Sequence, residues 1–102
     1  MTREEAREFI SNLTTEEKDA VYRELWMNFV RNDVEARLEE TPEDFEGYSA
    51  EDFKNLIENV AERYVYQGDY DCNLSYWQNI DELISSVHDQ MYMHNNPDIE
   101  RE

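Results

Sequence analysis

With a single cysteine, Cys72, the chain has no partner for an intramolecular disulfide and lies outside the small scaffolds that disulfides hold together. Two glycines and two prolines in 102 residues leave little turn chemistry. A β-rich domain of this size needs many tight turns, so the composition argues against one. The apolar runs are a few residues long, far short of the roughly 20 that cross a bilayer. Residues 1–13 show neither the charged n-region nor the apolar h-region of a secretory signal. These absences point to a soluble, cytoplasmic protein. Positive charge is scarce as well: nine basic side chains stand against 26 acidic ones, a formal charge of -17. Small soluble domains usually carry a net charge of magnitude about 2–8. Self-repulsion on this scale opposes compaction and has to be offset by a core. It also disfavours nucleic acid and anionic membrane as direct partners, which leaves a basic protein as the natural one.

What is present suffices for one folded domain over residues 1–94. At 39% hydrophobic and 13% aromatic, the chain is too apolar for a disordered acidic tail. Thr2 and Glu5 have capping-box spacing. Ala6, Phe9, Ile10 and Leu13 then share a helical face, which predicts a short helix over 3–12. Thr14 and Glu17 repeat that spacing and start a second helix near Thr15. Val21, Tyr22, Leu25, Trp26, Phe29 and Val30 recur at three- and four-residue intervals, and Val34 and Leu38 extend the stripe to about Glu40. Pro42 ends it.

A linker follows over 41–49. Ser49 and Asp52 then cap a third helix whose inner face is Phe53, Leu56, Ile57, Val60, Ala61, Tyr64 and Val65. Residues 67–78 read as a loop, after which Asn79 caps a last helix lined by Ile80, Leu83, Ile84, Val87 and Met91. The fold class is all-α, a small bundle of three to four helices, with Phe53, Leu56, Ile57 and Val60 packed on Leu25, Trp26 and Phe29. A second reading of 64–66 and 74–77 pairs them as a short β-hairpin, since Val and Tyr favour extended structure. Residues 95–102 lack periodicity and read as a flexible tail.

No residue set forms a convincing catalytic constellation, so the expectation is a binding protein and not an enzyme, with no cofactor. Asp69, Asp71 and Asn73 match the first half of a calcium loop, but Leu74 occupies the position that needs Gly and Ile80 the one that needs Glu. Cys72 lies among acids that disfavour its thiolate. His88, Met91, Met93 and His94 fit a helix end better than a soft metal site, because two histidines six apart do not share a helical face. The charge run at 39–52 stands out: Glu39, Glu40, Glu43, Asp44, Glu46, Glu51 and Asp52 with no Lys or Arg among them. Helix N-termini favour acids, which accounts for Glu51 and Asp52 but not for the five before them. Glu51, Glu58 and Glu62 then share a strip of the third helix, where a four-residue step rises about 6 Å. That strip is either an ordinary solvated face or a row of charge presented to a protein groove. Tyr64, Tyr66, Tyr70, Tyr76 and Trp77 crowd 14 residues; they either cover the core or supply aromatic anchors at an interface.

A small acidic helical chain of this kind resembles the nucleic-acid-mimicking inhibitors made by phages and mobile elements, among them anti-restriction and anti-CRISPR proteins. The resemblance lies in composition, size and the acidic stretch 39–62. It implies an inhibitor acting in the cytoplasm of a bacterial host, seated in the cationic channel of a defence nuclease or its complex. Glu39, Glu40, Glu43, Asp44, Glu46, Glu51, Glu58 and Glu62 would then pair with channel Arg and Lys, and Tyr70, Tyr76 and Trp77 would add apolar anchoring. The chain also resembles the bacteriocin immunity proteins, small acidic helical bundles that bind nuclease toxins. That likeness implies a non-mimic adaptor, immunity protein or antitoxin on a basic partner.

Overall fold

A computed structural model describes residues 1–95, with side chains placed through Met91. Residues 96–102 of the predicted tail, and the side chains of Met93 and His94, lie outside the described residues. The order is α1 (Arg3–Ser11), α2 (Thr15–Glu40), a 3-10 turn (Pro42–Phe45), α3 (Ala50–Val65) and α4 (Tyr76–Asn95). Capping boxes open the first three helices. In each, the hydroxyl of Thr2, Thr14 or Ser49 accepts from the amide three residues on, and the carboxylate of Glu5, Glu17 or Asp52 accepts from the cap amide. The same exchange depresses the pKa of Glu17, whose carboxylate accepts first from the Thr14 amide. Both glycines sit where a left-handed backbone is needed, Gly47 before α3 and Gly68 after it.

The last helix starts earlier than predicted. Ser75 caps it, with its hydroxyl accepting from the Gln78 amide and its own amide donating to Gln78 Oε1. Asn79 lies inside the helix, and its buried side chain serves the preceding loop instead. The hairpin reading fails for a related reason. Tyr64 and Val65 close α3, Tyr76 and Trp77 open α4, and there is no strand among the described residues. Packing of Tyr64 and Val65 in register with Leu56, Val60 and Ala61 outweighs their extended preference.

α2, α3 and α4 pack on one another and form the bundle, whereas α1 buries no residue. Contacts such as Arg31 with Glu58 and Trp26 with Tyr64 run α2 and α3 antiparallel. Tyr76 with Asp33 and Asp81 with Arg37 align α4 with α2. The core consists of Met27, Val30, Val34 and Leu38 from α2; Phe45 from the 3-10 turn; Leu56, Val60, Ala61, Tyr64 and Val65 from α3; and Ile80, Leu83, Ile84 and Val87 from α4. Burying each large aliphatic side chain contributes about 1.5–3 kcal/mol relative to leaving it in water.

The predicted core is right for α3 and partly wrong for α2. Leu56 and Val60 are fully buried, and Trp26, Phe53 and Ile57 pack against the core. Leu25 and Phe29 are exposed. The apolar positions of α2 cover two faces of one helix, and the bundle takes the face containing Met27, Val30 and Val34.

Candidate functional site

The acidic run is displayed by the turn between α2 and α3. Phe45 is its anchor: buried, with its ring against those of Tyr48, Phe53 and His88. With Phe45 turned inward and Pro42 opening the 3-10 turn, Glu43, Asp44 and Glu46 are left exposed. Glu39 and Glu40 precede them in the last turn of α2, and Glu51 follows in the first turn of α3. Among the described residues, Glu39, Glu43, Asp44, Glu46, Glu51 and Glu62 are exposed and take part in no ion pair.

Two of the predicted acids have structural duties instead. Glu58 accepts from Arg31 Nε at 2.9 Å, tying α3 to α2. Arg31 also lies 4.0 Å from Glu24. Glu40 accepts from Arg37 Nη1 at 3.1 Å. The rest of the Arg37 guanidinium forms a two-pronged bridge to Asp81, at 2.9 and 3.1 Å, and these bonds raise its pKa further. The same guanidinium lies over the Trp77 ring, 4.8 Å from its centroid. Glu40, Arg37, Asp81 and Trp77 therefore form one patch where α2 meets α4. Beside it, Arg37, Glu40, Asp44 and Asp81 line a surface cavity of about 300 Å³. Asp81 and Arg37 were absent from the predicted site. They lie 44 residues apart in sequence, so no local pattern signals their meeting.

The three predicted aromatic anchors divide. Tyr76 is half-buried, and its hydroxyl donates to Asp33 Oδ2 at 2.6 Å. Burial first, and then this bond, push its pKa well above the ordinary tyrosine value. It is a bundle contact, not a free anchor. Tyr70 is exposed at its edge and stacks on Tyr64, with centroids 4.8 Å apart. Trp77 is exposed and packs edge-on against Tyr76. The ring series Trp26, Tyr64, Tyr76 and Trp77 thus passes through the buried Tyr64 and ends at the exposed Trp77.

The half-match to a calcium loop has another structural purpose. Asp69 bridges Arg63 at 2.6 Å. Asp71 Oδ1 accepts from the Asn73 amide in a tight turn. Asn79 closes the loop from inside: its Oδ1 accepts from the Asp71 amide at 2.8 Å, and its Nδ2 donates to the carbonyls of Asp71 and Ser75. Cys72 is exposed. What this surface offers chemically is a set of charged hydrogen-bond acceptors directed outward, suited to Arg and Lys side chains.

No family model, curated protein or solved structure matches this chain. No helix among the described residues is long and apolar enough to cross a membrane.

Proposed function

We propose that this chain is a binding protein that blocks the cationic nucleic-acid-binding channel of a nuclease, its carboxylates standing in for phosphates. The target class is a bacterial defence nuclease of the kind met by anti-CRISPR and anti-restriction inhibitors, in the cytoplasm of the host. One observation carries the reading: among the described residues, Glu39, Glu43, Asp44, Glu46 and Glu51 are all exposed across one inter-helix turn and take part in no ion pair. A self-repelling row of this kind lowers the stability of an isolated domain and gains its compensation from a basic partner. Exposed Trp77 lies across Arg37 from Glu40 and supplies apolar contact beside the charge.

Competition tests the reading. A panel of guide-loaded CRISPR nucleases and restriction endonucleases is held with a fluorescent DNA duplex while this protein is titrated in. The expected result is saturable displacement of the duplex from at least one member, with the apparent affinity falling as the duplex concentration rises. A stable ternary complex of nuclease, duplex and this protein would instead indicate the adaptor or immunity-protein reading. Failure to bind any basic member of the panel would overturn both.

A further inference from the structure

Among the described residues, the face of α2 turned away from the core leaves large apolar side chains exposed. Tyr22, Leu25 and Phe29 are 63%, 54% and 67% exposed. At about 100° per residue, they fall within one narrow strip on the side of the helix opposite Met27 and Val34. Lys18, Tyr22, Leu25, Phe29, Asn32 and Ala36 follow one another at alternating steps of four and three residues. That is the spacing of a two-stranded coiled-coil seam, with Lys18 at its start and Asn32 as a polar residue of the kind that fixes register. Val21 and Asn28 on one side and Trp26 on the other flank its middle without charge, and Asp19, Asp33 and Glu35 lie towards its ends.

The surrounding architecture leaves this face open. α2 has 26 residues against 16 in α3, so it outruns its neighbour by about 15 Å. α1 is only nine residues long and buries nothing, yet it carries a full capping box and an apolar face. A helix this short is marginal without packing. Its Phe9 and Ile10 are 51% and 50% exposed.

We infer that this face is the interface of a homodimer, in which the α2 seams of two copies pack together with α1 completing the contact. Area and charge both favour a second copy as the occupant. The five exposed apolar side chains present about 500 Å². With Val21, Asn28 and the seam's polar residues beside them, they approach the roughly 800 Å² that each partner contributes to a standard interface. Residues 1–36, which include α1 and the whole seam, hold nine acidic and five basic side chains, a net of -4, so -13 of the total -17 lies beyond Ala36. Joining two copies through this end keeps their acidic bodies apart, where solvent and salt screen them. The inference is independent of the proposed nuclease target.

Sedimentation equilibrium over a wide concentration range, at low and high salt, tests it. The parent is expected to shift from monomer to twice the monomer mass. The dimer should tighten as salt rises, because salt screens the repulsion between the two bodies and leaves the apolar seam intact. Leu25→Glu and Phe29→Glu should each remain monomeric with parental helical circular dichroism and melting. If either glutamate variant unfolds, Leu25→Ala and Phe29→Ala replace it and should weaken the dimer by about tenfold or more. A parent that stays monomeric throughout overturns the inference, including one that instead binds lipid vesicles or an unrelated protein through this face. A dimer unaffected by folded variants at both positions overturns it equally.

Discussion

The hydroxyl of Tyr76, in the first turn of α4, donates a 2.6 Å hydrogen bond to Asp33 in the middle of α2. It joins two helices otherwise held together mainly by apolar contact and by the Arg37–Asp81 bridge one turn further on. A hydrogen bond to a charged acceptor contributes about 1.5–3 kcal/mol. Tyr76→Phe should therefore lower stability by about 2 kcal/mol in urea titrations near neutral pH, with little change in helical content.

The same contact sets an alkaline limit. Burial and the Asp33 bond raise the pKa of Tyr76 in the fold, and burial also raises those of Tyr48 and Tyr64. An unfolded tyrosine loses its proton near pH 10. Above that pH the folded chain holds more protons than the unfolded chain, so stability falls as pH rises. Below it the contribution is fully present. Urea titrations between pH 8 and 11 should show a decline that is shallower in Tyr76→Phe, because one of the shifted groups is gone.

Asn79 should matter out of proportion to its size. It is buried and makes three short bonds to the loop before α4, one accepted and two donated. Asn79→Ala leaves the part-buried amide and carbonyl of Asp71 without that partner, at a cost of about 1–3 kcal/mol. Hydrogen exchange at the Asp71 amide should accelerate well before global unfolding, since the loop opens first.

Legibility in the sequence followed locality. The capping boxes at Thr2, Thr14 and Ser49 depend on a three-residue spacing and could be read directly. Ser75 and Gln78 carry the same signal, but Asn79 with Glu82 offered a competing one four positions later. Asn79 side-chain chemistry is equally suited to a cap and to closing a loop, and only tertiary packing decides. In α3 the apolar positions cover one face, so the core followed from periodicity. In α2 they cover two faces, and periodicity alone cannot say whether Phe29 or Val30 turns inward. The exposed acids at 39–46 were legible as a charge run. Their division into the ion-paired Glu40 and the unpaired Glu39, Glu43, Asp44 and Glu46 was not, because it depends on Arg37 and hence on α4.

The two faces of α2 give a direct contrast. Leu56→Ala removes a fully buried side chain facing the inner stripe of α2 and should cost about 2–5 kcal/mol. Leu25→Ala removes an exposed one. In dilute protein it should change stability by no more than about 0.5 kcal/mol. Equal losses in the two melting curves would place Leu25 in the core after all.

Charge reversal at the α2–α3 turn separates folding from binding. Among the described residues, Glu39, Glu43, Asp44 and Glu46 are exposed and take part in no ion pair. Glu40 is left in place because it serves Arg37. Reversing the four to Lys changes the charge by two at each position and takes the total from -17 to -9. Exposed substitutions usually shift stability by within about 0.5 kcal/mol each, and easing the repulsion among these acids works in favour of the fold. Circular dichroism and melting should therefore match the parent. Binding to a cationic nuclease should collapse, and the parent's own binding should weaken steeply with salt, since exposed pairs are screened over about 8 Å at physiological ionic strength. A four-fold variant that still displaced duplex at parental potency would reduce the turn to a solvated linker. The contact surface would then have to lie at Tyr70 and Trp77, where the exposed rings contribute area that salt does not screen.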